Sequence, residues 1–319
     1  MNATSPTNAT ILIAGPTASG KSALALAIAE RFDGVVINAD SMQVYKELDI
    51  LTARPSAAEM ARAPHRLYGV LPASRRCSAA LWREMAATEI ARAHEAGRPA
   101  ILVGGTGLYF RALTEGFSPI PDVPEDIRAR VSAELEDMGF DAYLSHFARQ
   151  DPEQAARIRP GDRQRLIRAA EVLAATGRSL AYWQSLPADG GVLPAPPLTL
   201  VLEAERPWLY ARCDARLEWM LDHGALEEVA ALLALNLHPD LPAMKALGVA
   251  EFAALLRGEC SRAEALSRAQ MLTRRYAKRQ MTWFRHQMQA DEILDAQYLE
   301  SMTGKIFAKI CKFLLTRPG

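Results

Sequence analysis

The sequence of 319 residues lacks several features that would place it in a membrane, secreted or metal-binding class. No apolar run approaches the roughly 18 residues of a membrane-spanning helix. Met1–Asn8 has neither the basic start nor the apolar core of a signal peptide. The four cysteines are scattered, without the paired spacing of a zinc site or a disulfide framework. We therefore expect a cytoplasmic protein with no membrane contact.

The chain also has no formal net charge, because 37 Lys and Arg residues balance 37 Asp and Glu residues. Two segments depart from this balance. Residues 262–285 contain seven basic side chains and one acidic one, and residues 157–168 contain five arginines and one aspartate. Such clusters are typical of nucleic-acid-binding surfaces, but also of solvated helix faces paired with acids elsewhere. Charge alone leaves both interpretations open.

The most informative feature that is present is the segment GPTASGKS, which matches the phosphate-binding pattern G-x-x-x-x-G-K-[ST]. An apolar run before it predicts a strand, and an apolar run after it predicts a helix. A glycine-rich turn that binds nothing would not need the lysine and the serine. We expect the loop amides and the lysine to bind phosphate oxygens, and the Ser22 hydroxyl to bind Mg²⁺. The predicted phosphate-binding residues are Gly15, Pro16, Thr17, Ala18, Ser19, Gly20, Lys21 and Ser22.

The pattern along the chain predicts an α/β fold with a parallel sheet. Strands are predicted at 10–14, 35–38, 100–103 and 198–202, and helices at 22–31, 78–95 and throughout 125–186. A Pro- and Gly-rich segment, 187–197, is typical of a linker. We expect a P-loop core formed by 1–118 and 197–319, interrupted by a helical insertion at 119–196. The C-terminal region is expected to be mainly helical, and residues after about 290 give no clear pattern.

Two further strand ends carry candidate functional residues. The strand at 100–103 leads into Gly104-Gly105-Thr106-Gly107, without the carboxylate that holds Mg²⁺ in NTP-hydrolysing P-loop proteins. These glycines indicate either close approach of a substrate or a flexible turn. The strand at 35–38 leads to Asp40, at the sheet edge where ligands bind. Asp40 could hold Mg²⁺, act as a general base or cap a helix.

Six segments together resemble the tRNA dimethylallyltransferase family, also called tRNA isopentenyltransferases, in the family's order and over nearly the whole chain. They are Gly15–Ser22, Asp40–Tyr45, Pro64–Leu67, Gly104–Tyr109, Asp162–Ala169 and Lys278–Arg285. The resemblance implies transfer of a dimethylallyl group from dimethylallyl diphosphate to N6 of adenosine at tRNA position 37, with Mg²⁺ as cofactor and diphosphate released. It implies Asp40 as the base, Thr106 as the residue that orients the amine, and Arg216 as a diphosphate ligand.

The resemblance also implies that a monomer binds the tRNA anticodon stem-loop, with the reacting base flipped out of its stack. The Arg-rich segments are then interpreted as RNA contacts. The implied tRNA-binding residues are Asp40, Ser41, Met42, Gln43, Thr106, Arg128, Gln164, Arg165, Leu166, Ile167, Arg168, Lys245, Lys278, Arg279, Gln280, Trp283 and Arg285. The sequence departs from the family's usual residues at Leu51, Gly69 and Val249-Ala250.

Two other functions are compatible with the phosphate-binding loop. One is a small-molecule kinase that uses ATP, with Asp40 activating a substrate hydroxyl. The other is an RNA-binding module that uses a nucleotide as a switch. Gly104–Tyr109 and Lys278–Arg285 favour the transferase, in which any ATP binding would be incidental.

Overall fold

The computed structural model describes residues 8–316, so Met1–Thr7, where no signal peptide is predicted, lie outside the described residues. The described chain divides into two compact units. The first unit contains the described residues up to Thr114 and from Val192 onward. The second unit is Glu115–Gly191, whereas the sequence places the insertion at 119–196. Among residues 8–316, no helix is long and apolar enough to cross a membrane.

The first unit is built on a parallel sheet of six strands in the order β3-β2-β4-β1-β5-β6. The strands are β1 Thr10–Ala14, β2 Val35–Asn38, β3 His65–Arg66, β4 Ala100–Gly104, β5 Leu198–Glu203 and β6 Glu292–Asp295. The parallel α/β fold and the four predicted strands are confirmed. β1 is central and entirely buried, which is why it has the continuous apolar sequence of a strand covered on both faces.

Fourteen α-helices lie within the described residues. They are α1 Lys21–Phe32, α2 Ala57–Arg62, α3 Ala79–Glu95, α4 Gly107–Thr114, α5 Glu125–Met138, α6 Phe140–Gln150, α7 Pro152–Ala156, α8 Arg163–Thr176, α9 Leu180–Ser185, α10 Arg206–Asp222, α11 Ala225–Ala234, α12 Val249–Leu256, α13 Arg262–Gln287 and α14 Leu299–Leu315. Helices α5–α9 form the second unit, around a core of its own. The all-helical character predicted for 125–186 is confirmed.

Side chains alternate between the two faces of the sheet, as the strand period requires. Ile11 and Ile13 of β1 lie in one buried cluster together with residues of α1 and α14. Leu12 lies in the other, together with residues of α3, α4 and α10–α13. The C-terminal helix therefore covers one face of the sheet, and the long basic helix α13 belongs to the opposite layer. This second placement brings α13 to the functional site.

Candidate active site

The loop between β1 and α1 is shaped by two glycines. A Cβ on Gly15 would lie 2.9 Å from the Leu202 Cβ, so only glycine lets the loop pass β5 this closely. Gly20 has φ +90°, a left-handed conformation that glycine adopts without strain, and it starts α1. Because Gly20 has no side chain to cap the helix, the first N–H groups of α1 remain available to an anion.

This loop borders a cavity of about 480 Å³. Its lining residues are Thr17, Ala18, Gly20, Lys21, Ser22, Ala23, Asp40, Gln43, Thr52, Ala53, Arg212, Ala215 and Arg216. Three of these are cationic, Lys21, Arg212 and Arg216, and one is anionic, Asp40. The excess of positive charge suits a ligand with several negative charges.

Two of the cations form no ion pair within residues 8–316, and Lys21 donates instead to the Pro16 carbonyl oxygen at 3.2 Å. Burial lowers the pKa of Lys21 from 10.5 to about 8; the Asp40 carboxylate opposes this shift and Arg216 adds to it. Burial also lowers the pKa of Arg216. Arg216 donates one hydrogen bond to the Thr17 hydroxyl, but its buried Nε finds no acceptor among the described residues. A bound polyanion would supply the missing charge and the missing acceptor.

Arg212 is the cation of this cavity that the sequence analysis missed. Its Nε donates to the Ala18 carbonyl oxygen at 2.9 Å, and its guanidinium lies 4.8 Å from the centre of the Trp208 ring. A signal was present, because Arg212 and Arg216 are four residues apart and share one face of α10.

Asp40 follows β2 and is held by a short network of hydrogen bonds. Its backbone N–H donates to the Asn38 side chain at 2.8 Å, and its Oδ1 accepts from the Met42 N–H at 2.9 Å. Asn38 is held in turn, because its carbonyl oxygen accepts from the Trp82 indole at 2.9 Å. A turn follows Asp40 rather than a helix, so the alternative role of helix cap does not apply. The carboxylate is therefore oriented by the backbone and lies in the cavity with the cations.

Thr106 is linked directly to the Asp40 segment. Its hydroxyl oxygen accepts from the Ser41 N–H at 3.0 Å, and its own N–H donates to the Ala39 carbonyl oxygen at 3.3 Å. A Cβ on Gly104 would lie 2.0 Å from that same carbonyl oxygen, so the close approach of the two strand ends requires glycine. Among the described residues, nothing accepts a hydrogen bond from the Thr106 hydroxyl, so its hydrogen could be donated to a ligand.

Gln280 lies inside the protein, although the sequence interpretation made it a tRNA contact. Its Oε1 accepts from the Thr17 N–H at 2.9 Å, and its Nε2 donates to the Gly105 carbonyl oxygen at 2.8 Å. Only 5% of the residue is exposed. Gln280 thus ties the phosphate-binding loop to the turn that carries Thr106. Its neighbour Trp283 packs on Gly107, where an added Cβ would lie 2.2 Å from the indole ring.

The remaining implied tRNA contacts are distributed over both units. In the first unit, Lys278 and Arg279 are exposed and, with Trp283, border a second cavity of about 640 Å³ on α13. Arg285 lies 3.4 Å from the Glu203 carboxylate, and Lys245 lies 2.6 Å from that of Asp240. Ser41 and Met42 are half-buried next to Asp40.

In the second unit, the implied contacts are Arg128 and five residues of α8, Gln164, Arg165, Leu166, Ile167 and Arg168. Leu166 is fully buried in the core of this unit, so its side chain packs rather than facing RNA. Arg165 and Arg168 lie near Asp162 and Glu171, at 3.2 and 3.7 Å. Gln164 is exposed and Arg128 is half-buried.

The three departures from the family pattern have different structural settings. Leu51 and Val249 are both buried in one core cluster, and the Leu51 side chain approaches to 3.0 Å of the Cβ position of Gly248. Ala250 is exposed. Gly69 has φ +58°, a left-handed conformation that glycine adopts without strain, and the Arg54 guanidinium lies 2.2 Å from the position that a Cβ would take.

Fold and site together define a P-loop α/β protein with a cation-rich phosphate cavity next to an oriented carboxylate. The family model of IPP transferases matches residues 43–287, and this chain belongs to that family. It is 54% identical to a tRNA dimethylallyltransferase of Paramagnetospirillum magneticum over 315 residues, covering 99% of this chain and 100% of that protein. It is 56% identical to a tRNA dimethylallyltransferase of Rhodospirillum centenum over 292 residues, covering 91% and 92%.

Solved structures agree with this assignment. The tRNA isopentenylpyrophosphate transferase of Bacillus halodurans superimposes with a TM-score of 0.68 at 32% identity, covering 96% of this chain and 97% of that chain. A eukaryotic dimethylallyltransferase acting on tRNA superimposes with a TM-score of 0.78 at 27% identity, covering 97% and 80%. The resemblance stated from the sequence motifs is confirmed, and the kinase alternative is not favoured.

Proposed function

We propose that this protein transfers a dimethylallyl group from dimethylallyl diphosphate to N6 of adenosine at tRNA position 37, with release of diphosphate. The observation that carries the proposal is the cavity itself, which is lined by three cations, residues of the loop between β1 and α1, and one carboxylate, Asp40. The relatives named tRNA dimethylallyltransferase support the same reaction. The bond that breaks is carbon–oxygen, so the loop binds a leaving group and not a phosphoryl group in transfer.

In this proposal, the cations stabilise the charge that develops on the departing diphosphate. Lys21 and Arg216 lie at the cavity, and Arg216 has an unpartnered Nε that a diphosphate oxygen would satisfy. Pre-oriented cations in a partly buried site stabilise a developing anion more strongly than water does. Binding of the anion would also raise the pKa of Lys21 from its lowered value and keep the ammonium protonated.

The second half of the reaction is removal of a proton from the amine as it is alkylated. We assign this to Asp40, whose Oδ1 is oriented by the Met42 N–H while the carboxylate lies in the cavity. We assign Thr106 to orientation of the adenine. Its hydroxyl oxygen accepts from the Ser41 N–H, which leaves the hydroxyl hydrogen available to the substrate. The carboxylate and the hydroxyl are held together by the same strand-end contacts.

Mg²⁺ fits this site only together with substrate. Ser22 lines the cavity and offers a hydroxyl oxygen, and oxygen is the ligand atom that Mg²⁺ prefers. Among the described residues, no group of three or more His, Cys, Asp or Glu side chains could hold a metal ion alone. Diphosphate oxygens would complete the coordination. When bound, the ion would supply further neutralisation of the leaving group.

We further propose that the RNA substrate is the anticodon stem-loop, bound by a monomer in the cytoplasm. The exposed cations Lys278 and Arg279 are suited to contact with RNA phosphates, and the neighbouring Trp283 ring is suited to stacking on a base. All four cysteines are free, as expected in a reducing compartment.

The deciding experiment incubates the protein with labelled dimethylallyl diphosphate, Mg²⁺ and unmodified tRNA. We expect label in the tRNA and release of one diphosphate for each group transferred. A protein that leaves the tRNA unlabelled but transfers phosphate from ATP to a small molecule would contradict the proposal and support the kinase.

A further inference from the structure

One half-buried network of the first unit has no part in the reaction described above. The Glu228 carboxylate of α11 accepts hydrogen bonds from three consecutive backbone N–H groups. Its Oε2 lies 2.8 Å from the Asp49 nitrogen and 2.7 Å from the Ile50 nitrogen, and its Oε1 lies 3.0 Å from the Leu51 nitrogen. Consecutive N–H groups that converge on one anion form a stable local unit, and hydrogen bonds to a charged acceptor are the stronger kind.

The segment that Glu228 holds continues directly into the substrate cavity. Thr52 and Ala53 line this cavity, and Ala53 has a left-handed φ of +51°. A non-glycine residue keeps such a conformation only where its surroundings enforce it. The turn is closed by the Ala53 N–H, which donates to the Ile50 carbonyl oxygen at 2.9 Å. The Glu228 carboxylate therefore helps to fix the course of the backbone along one wall of the cavity.

This wall in turn orients Gln43. The Gln43 Nε2 donates to the Thr52 carbonyl oxygen at 2.8 Å and to the Ala53 carbonyl oxygen at 3.0 Å. Both amide hydrogens are thereby used, which determines which end of the amide is nitrogen and which is oxygen. Within residues 8–316, no described group donates to the Gln43 Oε1. Gln43 thus offers the cavity a hydrogen-bond acceptor of fixed position.

Gln43 lies three residues after Asp40, and both residues line the same cavity. An amino group on the substrate could donate to it, whereas a carbonyl oxygen at that position would be repelled. The target base of the proposed reaction carries such an amino group. A site built to hydrogen-bond one group rejects an analogue that lacks the group, because the polar atom of the site is then left unpaired.

We propose that Glu228 is a positioning residue for recognition of the target base, acting through segment 49–53 and Gln43. Glu228 itself is not among the residues that line the cavity. The inference rests on the proposed function, since it takes the amino group of the target base to be the donor that binds the Gln43 Oε1. Replacement of the carboxylate by an amide removes the charge and places a donor against backbone N–H groups, so the wall of the cavity loosens and the Gln43 amide loses its fixed direction.

The test compares Glu228→Gln with Glu227→Gln, an exposed neighbour on the same helix. We measure KM for tRNA and for dimethylallyl diphosphate, and the Kd of two unmodified tRNAs that carry adenosine or inosine at position 37. In Glu228→Gln we expect KM for tRNA to rise about tenfold, which corresponds to about 1.4 kcal/mol. KM for the diphosphate should change less than about twofold, and Glu227→Gln should resemble wild type. The preference for adenosine over inosine should fall toward one.

A double variant tests the route of the effect. If Glu228 acts through Gln43, Glu228→Gln combined with Gln43→Ala should be no worse than the worse single variant. Additive losses would overturn the proposal, as would equal increases in both KM values or an unchanged base preference. If Glu228→Gln does not fold, Glu228→Asp carries the same measurements, because it keeps the charge and withdraws it by one methylene. A wild-type protein that transfers no label to tRNA would instead contradict the proposed function.

Discussion

Gln280 acts as a clamp that joins the phosphate-binding loop to the Thr106 turn. The variant Gln280→Ala should distinguish this role inside the protein from a role as an RNA contact. The variant removes both hydrogen bonds that join the phosphate-binding loop to the Thr106 turn, at 2.9 Å to Thr17 and 2.8 Å to Gly105. The Gly105 carbonyl oxygen is buried and would lose its partner, at a cost of roughly 1–3 kcal/mol. The Thr17 N–H is more accessible, so the loss of its acceptor should cost about 1 kcal/mol or less.

The sum is a loss of roughly 1–4 kcal/mol in the free energy of unfolding. For a unit of this size, each kcal/mol lowers Tm by roughly 2–4 °C, so we expect Tm to fall by about 2–16 °C. Because the loop and the Thr106 turn are no longer held together, kcat should fall by at least about tenfold. KM for tRNA should change less, because the side chain is only 5% exposed and does not face solvent.

Thermal unfolding and steady-state kinetics measure these quantities, with Lys278→Ala as the matched control on the exposed face of the same helix. The control should keep its Tm within about 1 °C and show a weaker affinity for tRNA. Gln280→Glu adds a second comparison, since it keeps the acceptor for Thr17 and loses the donor to Gly105. The clamp is refuted if Gln280→Ala retains wild-type Tm and kcat and loses only affinity for tRNA.

Three further predictions follow from the site. Asp40→Ala should abolish turnover and largely spare tRNA binding, because the carboxylate acts on the proton; near-normal turnover would remove its role as base. Lys21 has a pKa of about 8 in the folded protein and a higher one when unfolded, so the folded state binds fewer protons between these values. The free-energy cost of burying the ammonium is fully present below about pH 8 and is relieved as the pH rises. In urea unfolding, the free energy of unfolding of wild type should therefore rise relative to that of Lys21→Met between about pH 8 and 10.5. A difference between the two proteins that does not change with pH would argue against a buried ammonium. Affinity for tRNA should fall steeply with salt, and Lys278→Ala together with Arg279→Ala should flatten the slope of log Kd against log salt by about two; an unaltered slope would place the phosphate contacts elsewhere.

Much of the fold could be predicted because its strands carry their own signal. β1, β2 and β4 are continuous apolar runs, buried on both faces, and each is followed by a residue pattern that stops the strand. β6 escaped prediction because only Leu294 of its four residues is buried, and the strand exists through its pairing with β5. β3 has two residues, too few to show any period.

In the candidate site too, features set by a short local segment could be predicted, and features set by packing could not. The phosphate-binding loop could be predicted because a single continuous segment contains its glycines, lysine and serine, and its function depends on local backbone geometry. Gln280 is buried, although it stands in a basic segment that is typical of an RNA-binding surface. A helix has an inner and an outer face, and the residues on each face follow from what the helix packs against.

By itself, the sequence determined which family the motifs resemble and predicted that the first loop binds phosphate, since both inferences depend on short segments with local geometry. Only the tertiary structure decided how Gln280 joins two strand ends, how Arg212 enters the cavity and how Glu228 reaches residues 49–51. These contacts link residues about 180 to 260 positions apart. Their partners are set by packing of the whole core, which no local pattern encodes.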